Sequence, residues 1–226
     1  MRLGPLVTFS RLIRDPLILS RLPILTEAAL TVGGPQIRNV ATVGGNLCNG
    51  VPSADSAPAL LAFNTRLKVQ SSKGERTVAL GDFFRGPGRG DLEPGELLTA
   101  IEIDKQDYHG FGSCYIKFSP RKAMDLAIIG VAALCRLDSD LNFAEVRISL
   151  GVAGPTPMRC PEAEAYLQGK AATDENLAAA GRLALEAASP RSSVRATQEY
   201  REHLIRELTG RALKTAHARA GGQKDA

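Results

Sequence analysis

The chain has 226 residues, of which 44% are hydrophobic and 23% charged, and its formal net charge is +4. This length and composition predict a globular protein that buries one large core or two small ones. Basic residues are scattered among acidic ones, aromatic residues make up only 5% and tryptophan is absent, so the positive charge does not indicate a nucleic-acid-binding surface.

The cysteines and the apolar segments exclude several further classes. Cys48, Cys114, Cys135 and Cys160 are widely spaced, so they indicate neither a zinc site nor an iron–sulfur cluster. We expect each to behave as a small apolar residue in a reducing compartment. No signal-peptide pattern and no run of transmembrane length is present. The sequence therefore predicts a cytoplasmic protein without a membrane span or a metal of its own.

The first predicted elements are short. Residues 3–7 predict a strand, Thr8 begins a brief helix that ends at Asp15-Pro16, and residues 24–32 predict a second helix. Gly33-Gly34-Pro35 stops that helix, so we interpret this Gly-Gly pair as a C-cap and not as a ligand loop.

A second Gly-Gly pair lies in the run Thr42-Val43-Gly44-Gly45-Asn46. It predicts a tight turn whose backbone amides form an anion-binding nest, with Thr42 and Asn46 adding side-chain donors. Asp55 would accept hydrogen bonds from a ribose hydroxyl or from the amides of a following turn. An ordinary turn remains the alternative, because the run matches neither the Walker pattern nor the G-x-G-x-x-G fingerprint.

The next segments complete a first unit. Residues 57–63 predict a buried helix, and residues 66–69 and 75–78 predict a hairpin. A short helix over 80–84, capped by Gly81 or Asp82, leads into a Gly/Pro/Arg-rich loop over 85–95. We expect this loop to be mobile, and a flexible lip over a ligand or partner is the functional alternative. A strand over 96–103 follows.

From Gly110 onward the pattern changes to longer strands. Residues 111–118, 128–137 and 143–152 predict an antiparallel sheet. Helices are predicted over 161–167, from Thr173 or Asp174 to 188, and from about 197. In the last helix Tyr200, Leu204, Leu208 and Ala212 predict one apolar stripe, and residues 216–226 predict a frayed polar tail.

The sequence offers no catalytic acid–base set. The only histidines, His109, His203 and His217, lie apart and pair with no serine or cysteine in a known motif. This pattern favours a protein whose chemistry is supplied by a cofactor.

Residues 36–63, QIRNVATVGGNLCNGVPSADSAPALLAF, resemble the second FAD-binding segment of the FAD-binding (medium) subunits of molybdenum hydroxylases. That family includes the carbon monoxide dehydrogenase medium subunit and the xanthine dehydrogenase FAD-binding subunit. The matching positions are Ile37-Arg38-Asn39, the Thr-Val-Gly-Gly-Asn run, and the spacing of Pro52, Asp55 and Pro58. The resemblance continues to about Ala212.

The resemblance implies an α+β fold. A PCMH-type (vanillyl-alcohol-oxidase-like) FAD-binding domain is expected over 1–105, a C-terminal antiparallel sheet packed with helices over 106–215, and a polar tail over 216–226. Family members carry a first Gly-rich loop ahead of the position of Met1, so we expect the chain to be N-terminally truncated and to lack the first subdomain. Retention of FAD is then an open question.

The resemblance also implies roles for single residues. Thr42, Val43, Gly44, Gly45 and Asn46 would hold the FAD pyrophosphate. Asp55 would lie on the adenosine side, and Leu98 and Lys117 on the flavin side. A core leucine and a snorkelling surface lysine are the alternatives for the last two. Leu126 lies in the segment 119–127, which passes the isoalloxazine ring in relatives that often carry Tyr, Phe or Ile there.

The implied function is that of an electron-transfer subunit of an oxidoreductase. FAD on this chain would receive electrons from [2Fe–2S] clusters on a small subunit, supplied by a molybdopterin cofactor on a large subunit, in a dimer of heterotrimers. NAD+, a quinone or another molecule would be the acceptor. The alternatives are a cofactor-free remnant with an assembly role and simple binding of a phosphate ligand without redox chemistry.

Overall fold

The computed structural model describes residues 1–222 and contains two four-stranded antiparallel sheets, each with its own helices. The elements around the first sheet are β1 (Arg2–Leu3), α1 (Phe9–Arg14), α2 (Pro16–Arg21), α3 (Pro23–Leu30), α4 (Pro35–Val40), α5 (Val43–Cys48), α6 (Ser56–Ala62), β2 (Arg66–Ser71), β3 (Gly74–Ala79), α7 (Leu80–Phe83), β4 (Phe84–Gly86), β5 (Arg89–Gly90), β6 (Leu97–Glu102) and α8 (Lys105–Tyr108). Those around the second sheet are β7 (Gly112–Phe118), β8 (Ile129–Leu137), β9 (Phe143–Gly151), β10 (Met158–Arg159), α9 (Pro161–Leu167), α10 (Asp174–Ala187) and α11 (Gln198–Ala220).

Side-chain caps and prolines begin the first helices. The Thr8 hydroxyl accepts from the Arg11 amide at the start of α1, as predicted. The Asp15 carboxylate accepts from the amides of Leu17 and Ile18, and Pro16 takes the first helical position of α2. The Asp15-Pro16 breaker thus ends one helix and begins another, and α2 was not predicted.

The first sheet has the strand order β1-β6-β2-β3. The predicted hairpin is confirmed, with β2 and β3 paired from Arg66–Ala79 to Ser71–Gly74. The strand expected over residues 3–7 is reduced to Arg2–Leu3, paired with the end of β6. Helix α7 follows Ala79, which has no side-chain cap, so the predicted cap by Gly81 or Asp82 is wrong.

The Gly/Pro/Arg-rich segment is more ordered than its composition indicates. It contains the small β4–β5 hairpin, and Arg76 holds its base through ion pairs to Asp91 at 2.8 Å and Glu96 at 2.6 Å. Arg85 also contacts Asp91 at 3.0 Å. The Arg76 hydrogen bonds lower the pKa of Glu96 to about 2. The prediction of one continuous loop over 85–95 is therefore wrong, because the β4–β5 hairpin lies within it, and its mobility stays a prediction.

The second sheet has the strand order β10-β9-β8-β7 and lies between two layers of helix. Its three long strands begin and end within one residue of the predicted bounds. Side chains of one face, such as Val131 and Ile148, pack with α9, α10 and α11. Side chains of the other face, such as Tyr115 and Leu134, join the core of the first unit.

Helix α11 begins after the Thr197 cap and is buried over a wider face than one stripe. Leu204, Leu208 and Ala212 are buried as predicted, but Tyr200 is exposed. The polar tail predicted over 216–226 is also wrong at its start, because the helix runs to Ala220. Residues 223–226 lie outside the described residues.

Three of the cysteines, Cys114, Cys135 and Cys160, are buried, and Cys48 is half-buried. Burial raises the pKa of the Cys135 and Cys160 thiols to about 12. Within residues 1–222, no group of His, Cys, Asp and Glu side chains is arranged to hold a metal ion. Among these described residues, the helices lack the apolar length that a membrane span requires.

These environments predict the thiol reactivity of the native chain. We expect a thiol reagent such as DTNB to modify Cys48 alone, and slowly, because burial also raises the pKa of that thiol. Denaturation should release all four thiols. Cys48→Ser should abolish the native reaction, whereas the control Cys135→Ser should leave it unchanged. Rapid reaction of two or more thiols in the native chain would contradict the described packing.

Candidate functional site

The Thr-Val-Gly-Gly-Asn run begins the six-residue helix α5 and is not a tight turn. Thr42 is the N-cap in an extended conformation, and Gly44 and Gly45 lie in the first helical turn. Neither glycine has a positive φ. The predicted turn is therefore wrong, and the two glycines must be explained by what approaches them and not by left-handed backbone.

The amides of this run are already engaged within the chain. The Gly44 amide donates to Pro5 O at 2.9 Å, and the Val43 amide donates to Val7 O at 3.0 Å. The Gly45 amide donates to Thr42 Oγ1 and the Asn46 amide to Thr42 O, both at 3.0 Å. The anion-binding nest expected from the sequence is thus not open to a ligand, because its donors already have acceptors.

The two glycines have different surroundings. A Cβ on Gly44 would lie 2.6 Å from both Cβ and O of Pro5, so this glycine permits close packing of α5 on the N-terminal strand region. A Cβ on Gly45 would meet only Thr42 Oγ1, at 3.0 Å. The bare backbone at Gly45 is therefore the part of the pair that a ligand can approach.

Two polar side chains beside Gly45 keep donors for a ligand. The Thr42 oxygen accepts from the Gly45 amide, which leaves its hydroxyl proton free to donate. Asn46 Oδ1 accepts from Ser56 Oγ at 2.7 Å, which leaves its NH₂ group. Val43 is fully buried and serves packing. Thr42, Gly45 and Asn46 together fit an oxygen-rich group such as a pyrophosphate.

Asp55 and Lys117 form a buried ion pair. Lys117 Nζ lies 2.8 Å from Asp55 Oδ2, and both side chains are less than a tenth exposed. The Tyr115 hydroxyl donates to the other carboxylate oxygen of Asp55 at 3.1 Å. Asp55 makes no cap bond to the following helix. The surface lysine considered as an alternative is excluded by this burial.

Lys117 uses three acceptors, which is the full capacity of an ammonium group. Besides Asp55, it donates to Thr31 O at 2.9 Å and to Asp125 O at 2.8 Å. It thereby joins β7 to the end of α3, to the start of α6 and to the segment 119–127. Because the pair with Asp55 has no net charge, Lys117 acts on nearby charge less strongly than an isolated cation would.

Burial of this pair changes the pKa values of Asp55 and of its neighbour Tyr115. Burial raises the pKa of the Asp55 carboxyl, and the charge and hydrogen bonds of Lys117 and Tyr115 only partly oppose that effect. Burial, followed by the neighbouring Asp55 charge, raises the pKa of Tyr115 well above its usual value. Tyr115 therefore remains a neutral donor to the carboxylate.

The two leucines named from the sequence differ in exposure. Leu98 is buried in β6 opposite Val69 and belongs to the core of the first unit. This position agrees with the alternative of a core leucine. Leu126 is about half exposed at the wall of a cavity of about 360 Å³. The sequence reasoning missed Tyr115, although strand alternation places it on the same face of β7 as Lys117.

The unequal surroundings of the glycines predict unequal stabilities. Gly44→Ala should lower the free energy of unfolding by about 1–3 kcal/mol, because its Cβ would overlap Pro5. Gly45→Ala should change it by less than about 1 kcal/mol, since the gain in helix propensity offsets a small shift of Thr42. Urea unfolding of both variants checks this. Equal losses of unfolding free energy in the two variants would contradict the different surroundings described for Gly44 and Gly45.

The ion pair predicts a pH-dependent loss in Lys117→Met. At pH 7 the variant should lose about 3–5 kcal/mol, because Asp55 stays buried without its counter-charge. Removing Lys117 raises the folded-state pKa of Asp55 further. Because the pKa of Asp55 is then higher in the folded variant than in the unfolded chain, where it is about 4, Asp55 contributes its full stabilisation only below about pH 4. This contribution to the free energy of unfolding is lost as the pH rises through the folded-state pKa.

The loss should therefore be smaller at about pH 5 than at about pH 7.5, as measured by urea midpoints at both values. Lys73→Met, at an exposed lysine of the β2–β3 turn, is the control and should lose little at either pH. A loss that does not vary with pH would show that Asp55 is not the group left unpaired.

Comparison with known proteins identifies the family. Residues 1–105 match the family model described as the FAD binding domain in molybdopterin dehydrogenase, and residues 114–216 match the CO dehydrogenase flavoprotein C-terminal domain. The chain is 44% identical over 223 residues to the xanthine dehydrogenase FAD-binding subunit of Escherichia coli O157:H7, covering 99% of this chain and 76% of that protein. It is 33% identical to the nicotine 6-hydroxylase medium subunit of Paenarthrobacter nicotinovorans, covering 97% and 76%.

Solved structures agree with these matches. Carbon monoxide dehydrogenase from Hydrogenophaga pseudoflava superposes with a TM-score of 0.91 at 32% identity, over 96% of this chain and 75% of that one. Quinoline 2-oxidoreductase from Pseudomonas putida 86 superposes with a TM-score of 0.90 at 28% identity, over 97% and 75%. The expected fold, an FAD-binding domain followed by an antiparallel sheet with helices, is confirmed. The chain belongs to the FAD-binding subunits of xanthine dehydrogenase and carbon monoxide dehydrogenase type molybdenum hydroxylases, a family of oxidoreductases.

Proposed function

We propose that this chain holds FAD against Gly45 and passes electrons from [2Fe–2S] clusters on a partner subunit to NAD+ or another acceptor. The observation that carries the proposal is the surface of Thr42, Gly45 and Asn46, where two free donors flank a bare backbone inside a domain that matches an FAD-binding family. FAD, when bound, supplies the redox chemistry, and the residues of this chain bind and orient it.

The pyrophosphate is assigned to Thr42, Gly45 and Asn46. The Thr42 hydroxyl and the Asn46 NH₂ group would donate to phosphate oxygens, and the absent Gly45 side chain lets them approach. Gly44 and Val43 support this surface from within. Of the five residues that the resemblance implied for the pyrophosphate, we therefore assign only Thr42, Gly45 and Asn46 to direct contact with it.

Asp55 and Lys117 are assigned to one end of the cofactor. The resemblance implied the adenosine side for Asp55 and the flavin side for Lys117, but their charged atoms are 2.8 Å apart, which does not suit the two ends of an extended FAD. We assign both to the flavin end, because Lys117 also binds Asp125 O and so holds the segment 119–127 that carries Leu126. Their role there is to fix the wall of the flavin site. Leu98 keeps the flavin-side role implied by the resemblance as a proposal, although it lies in β6 of the first sheet.

Partners and location complete the proposal. Relatives are described as medium subunits or medium chains. We infer a large subunit with a molybdopterin cofactor and a small subunit with [2Fe–2S] clusters, in a dimer of heterotrimers in the cytoplasm. The organic substrate would be oxidised on the large subunit.

FAD retention by the chain tests the proposal. After incubation with FAD and gel filtration, the chain should keep flavin absorbance. Gly45→Ala and Asn46→Ala should each weaken FAD binding about tenfold or more, through a blocked approach and a lost charge-assisted hydrogen bond. Gly81→Ala is the matched control, because its Cβ would meet only Leu61 Cδ1 at 3.7 Å.

Reconstitution with the partner subunits tests the electron path. Addition of an oxidisable substrate without oxygen should bleach the flavin absorbance in the wild-type complex and not in one built with a variant that has lost FAD. If neither the chain nor its complex keeps FAD, the proposal fails and the assembly role takes its place. If the Gly45 and Asn46 variants bind FAD as the wild type does, the cofactor lies elsewhere.

A further inference from the structure

The cavity beside Leu126 carries an unusual set of charges. It has a volume of about 360 Å³, and its wall includes Arg191, Arg195 and Arg201 together with Ser189 and Ser193. No Asp or Glu side chain lines it. Three guanidinium groups and three serine hydroxyls, the third from Ser53, therefore line one space whose described wall holds no carboxylate.

Arg201 is the buried member of this set. It lies in the first turns of α11 and is only 3% exposed. Its Nη1 donates to Ile128 O, and its Nη2 donates to Ser193 Oγ at 2.8 Å. Its Nε is buried and has no partner. Both acceptors are neutral, so the described residues give this buried charge no counter-ion.

A buried charge without a counter-ion is costly to a fold. Arg136 and Arg147, by contrast, each contact a carboxylate within 3.4 Å. Burial, followed by the nearby charges of Arg191 and Arg195, lowers the pKa of Arg201, which shows that its surroundings add positive charge and do not offset it. The arrangement is incomplete without an anion.

The neighbouring groups are free to contact such an anion. Arg191 and Arg195 are exposed at the cavity mouth, and neither side chain forms an ion pair within residues 1–222. Ser193 Oγ accepts from Arg201 Nη2 and from the Arg195 amide at 3.2 Å, so its own proton remains to be donated. Guanidinium and hydroxyl donors around one point are typical of phosphate recognition.

We propose that this cavity binds a phosphate group, with Arg201 and Ser193 at its base and Arg191 and Arg195 closing over it. The volume exceeds that of a phosphate ion and falls within the range of small-molecule sites, so the group can belong to a larger molecule. None of these residues belongs to the Thr42, Gly45 and Asn46 surface, but Leu126 of the proposed flavin wall also lines the cavity, so titration of the FAD-loaded chain must separate this site from the FAD site.

Calorimetric titration of the 226-residue chain with inorganic phosphate, pyrophosphate and ADP, at constant ionic strength, tests the site. We expect one bound equivalent of at least one of these probes. The double variant Arg191→Gln/Arg195→Gln should bind it at least about tenfold more weakly, because two charge-assisted contacts are lost. Arg182→Gln/Arg206→Gln removes the same charge from exposed positions outside the cavity and should bind as the wild type does.

Arg201→Gln should abolish binding, with circular dichroism as the check on its fold; if it does not fold, the exposed double variant still decides. Repeating the titration on the FAD-loaded chain shows whether the cavity takes the phosphate groups of FAD or those of a second ligand. Loss of phosphate binding there would mean that the phosphate groups of FAD occupy the cavity, and unchanged binding would mean a second ligand. No binding of any probe, or equal weakening in both double variants, would overturn the site.

Discussion

The buried ion pair of Lys117 and Asp55 is the interaction on which the arrangement of the two units depends. It lies where β7 of the second sheet crosses α3 and α6 of the first unit, and its three hydrogen bonds reach a separate segment each. A lysine buried to this degree is tolerated because every one of its donors has an acceptor. Loss of the pair would loosen three segments at once.

Glu27 strengthens the same junction from α3. One of its carboxylate oxygens accepts from the Tyr115 amide at 2.7 Å, and the other accepts from Arg219 at 2.5 Å. The end of α11 and the middle of β7 are thus both tied to α3. Since Tyr115 also donates to Asp55, successive residues of one strand face carry the polar contacts between the units. The segment 119–127 is held to this junction where Lys117 donates to Asp125 O, and Arg121 and Asp125 pair within it.

Local patterns predicted the second sheet and its helices well. Alternation over β7, β8 and β9 and the caps Thr173 and Thr197 are short-range signals, and they placed the three strands and the starts of the two helices within about one residue. The same signals failed around Gly44, because a glycine pair predicts a turn unless one knows that Pro5 approaches it. They gave no signal for the buried Arg201, which donates to Ile128 O, 73 residues away in the chain.

The candidate site, like the fold, was predictable from the sequence only in part. The resemblance led to Thr42, Gly45, Asn46, Asp55 and Lys117, but it gave neither the engaged amides of α5 nor the pairing of Asp55 with Lys117. Both depend on tertiary structure, because the segments that make these contacts are far apart in the sequence and meet only in the folded chain. The resemblance therefore supplied the candidate residues, and the structure indicates which of their atoms have no partner within the described part of the chain.

An experimental structure of the chain with FAD bound tests this account most directly. The account predicts phosphate oxygens within hydrogen-bonding distance of Thr42 Oγ1 and Asn46 Nδ2, with the Gly45 backbone in contact and the Asp55–Lys117 pair intact. A pyrophosphate placed away from α5, or an Asp55–Lys117 pair separated to reach opposite ends of the cofactor, would contradict it.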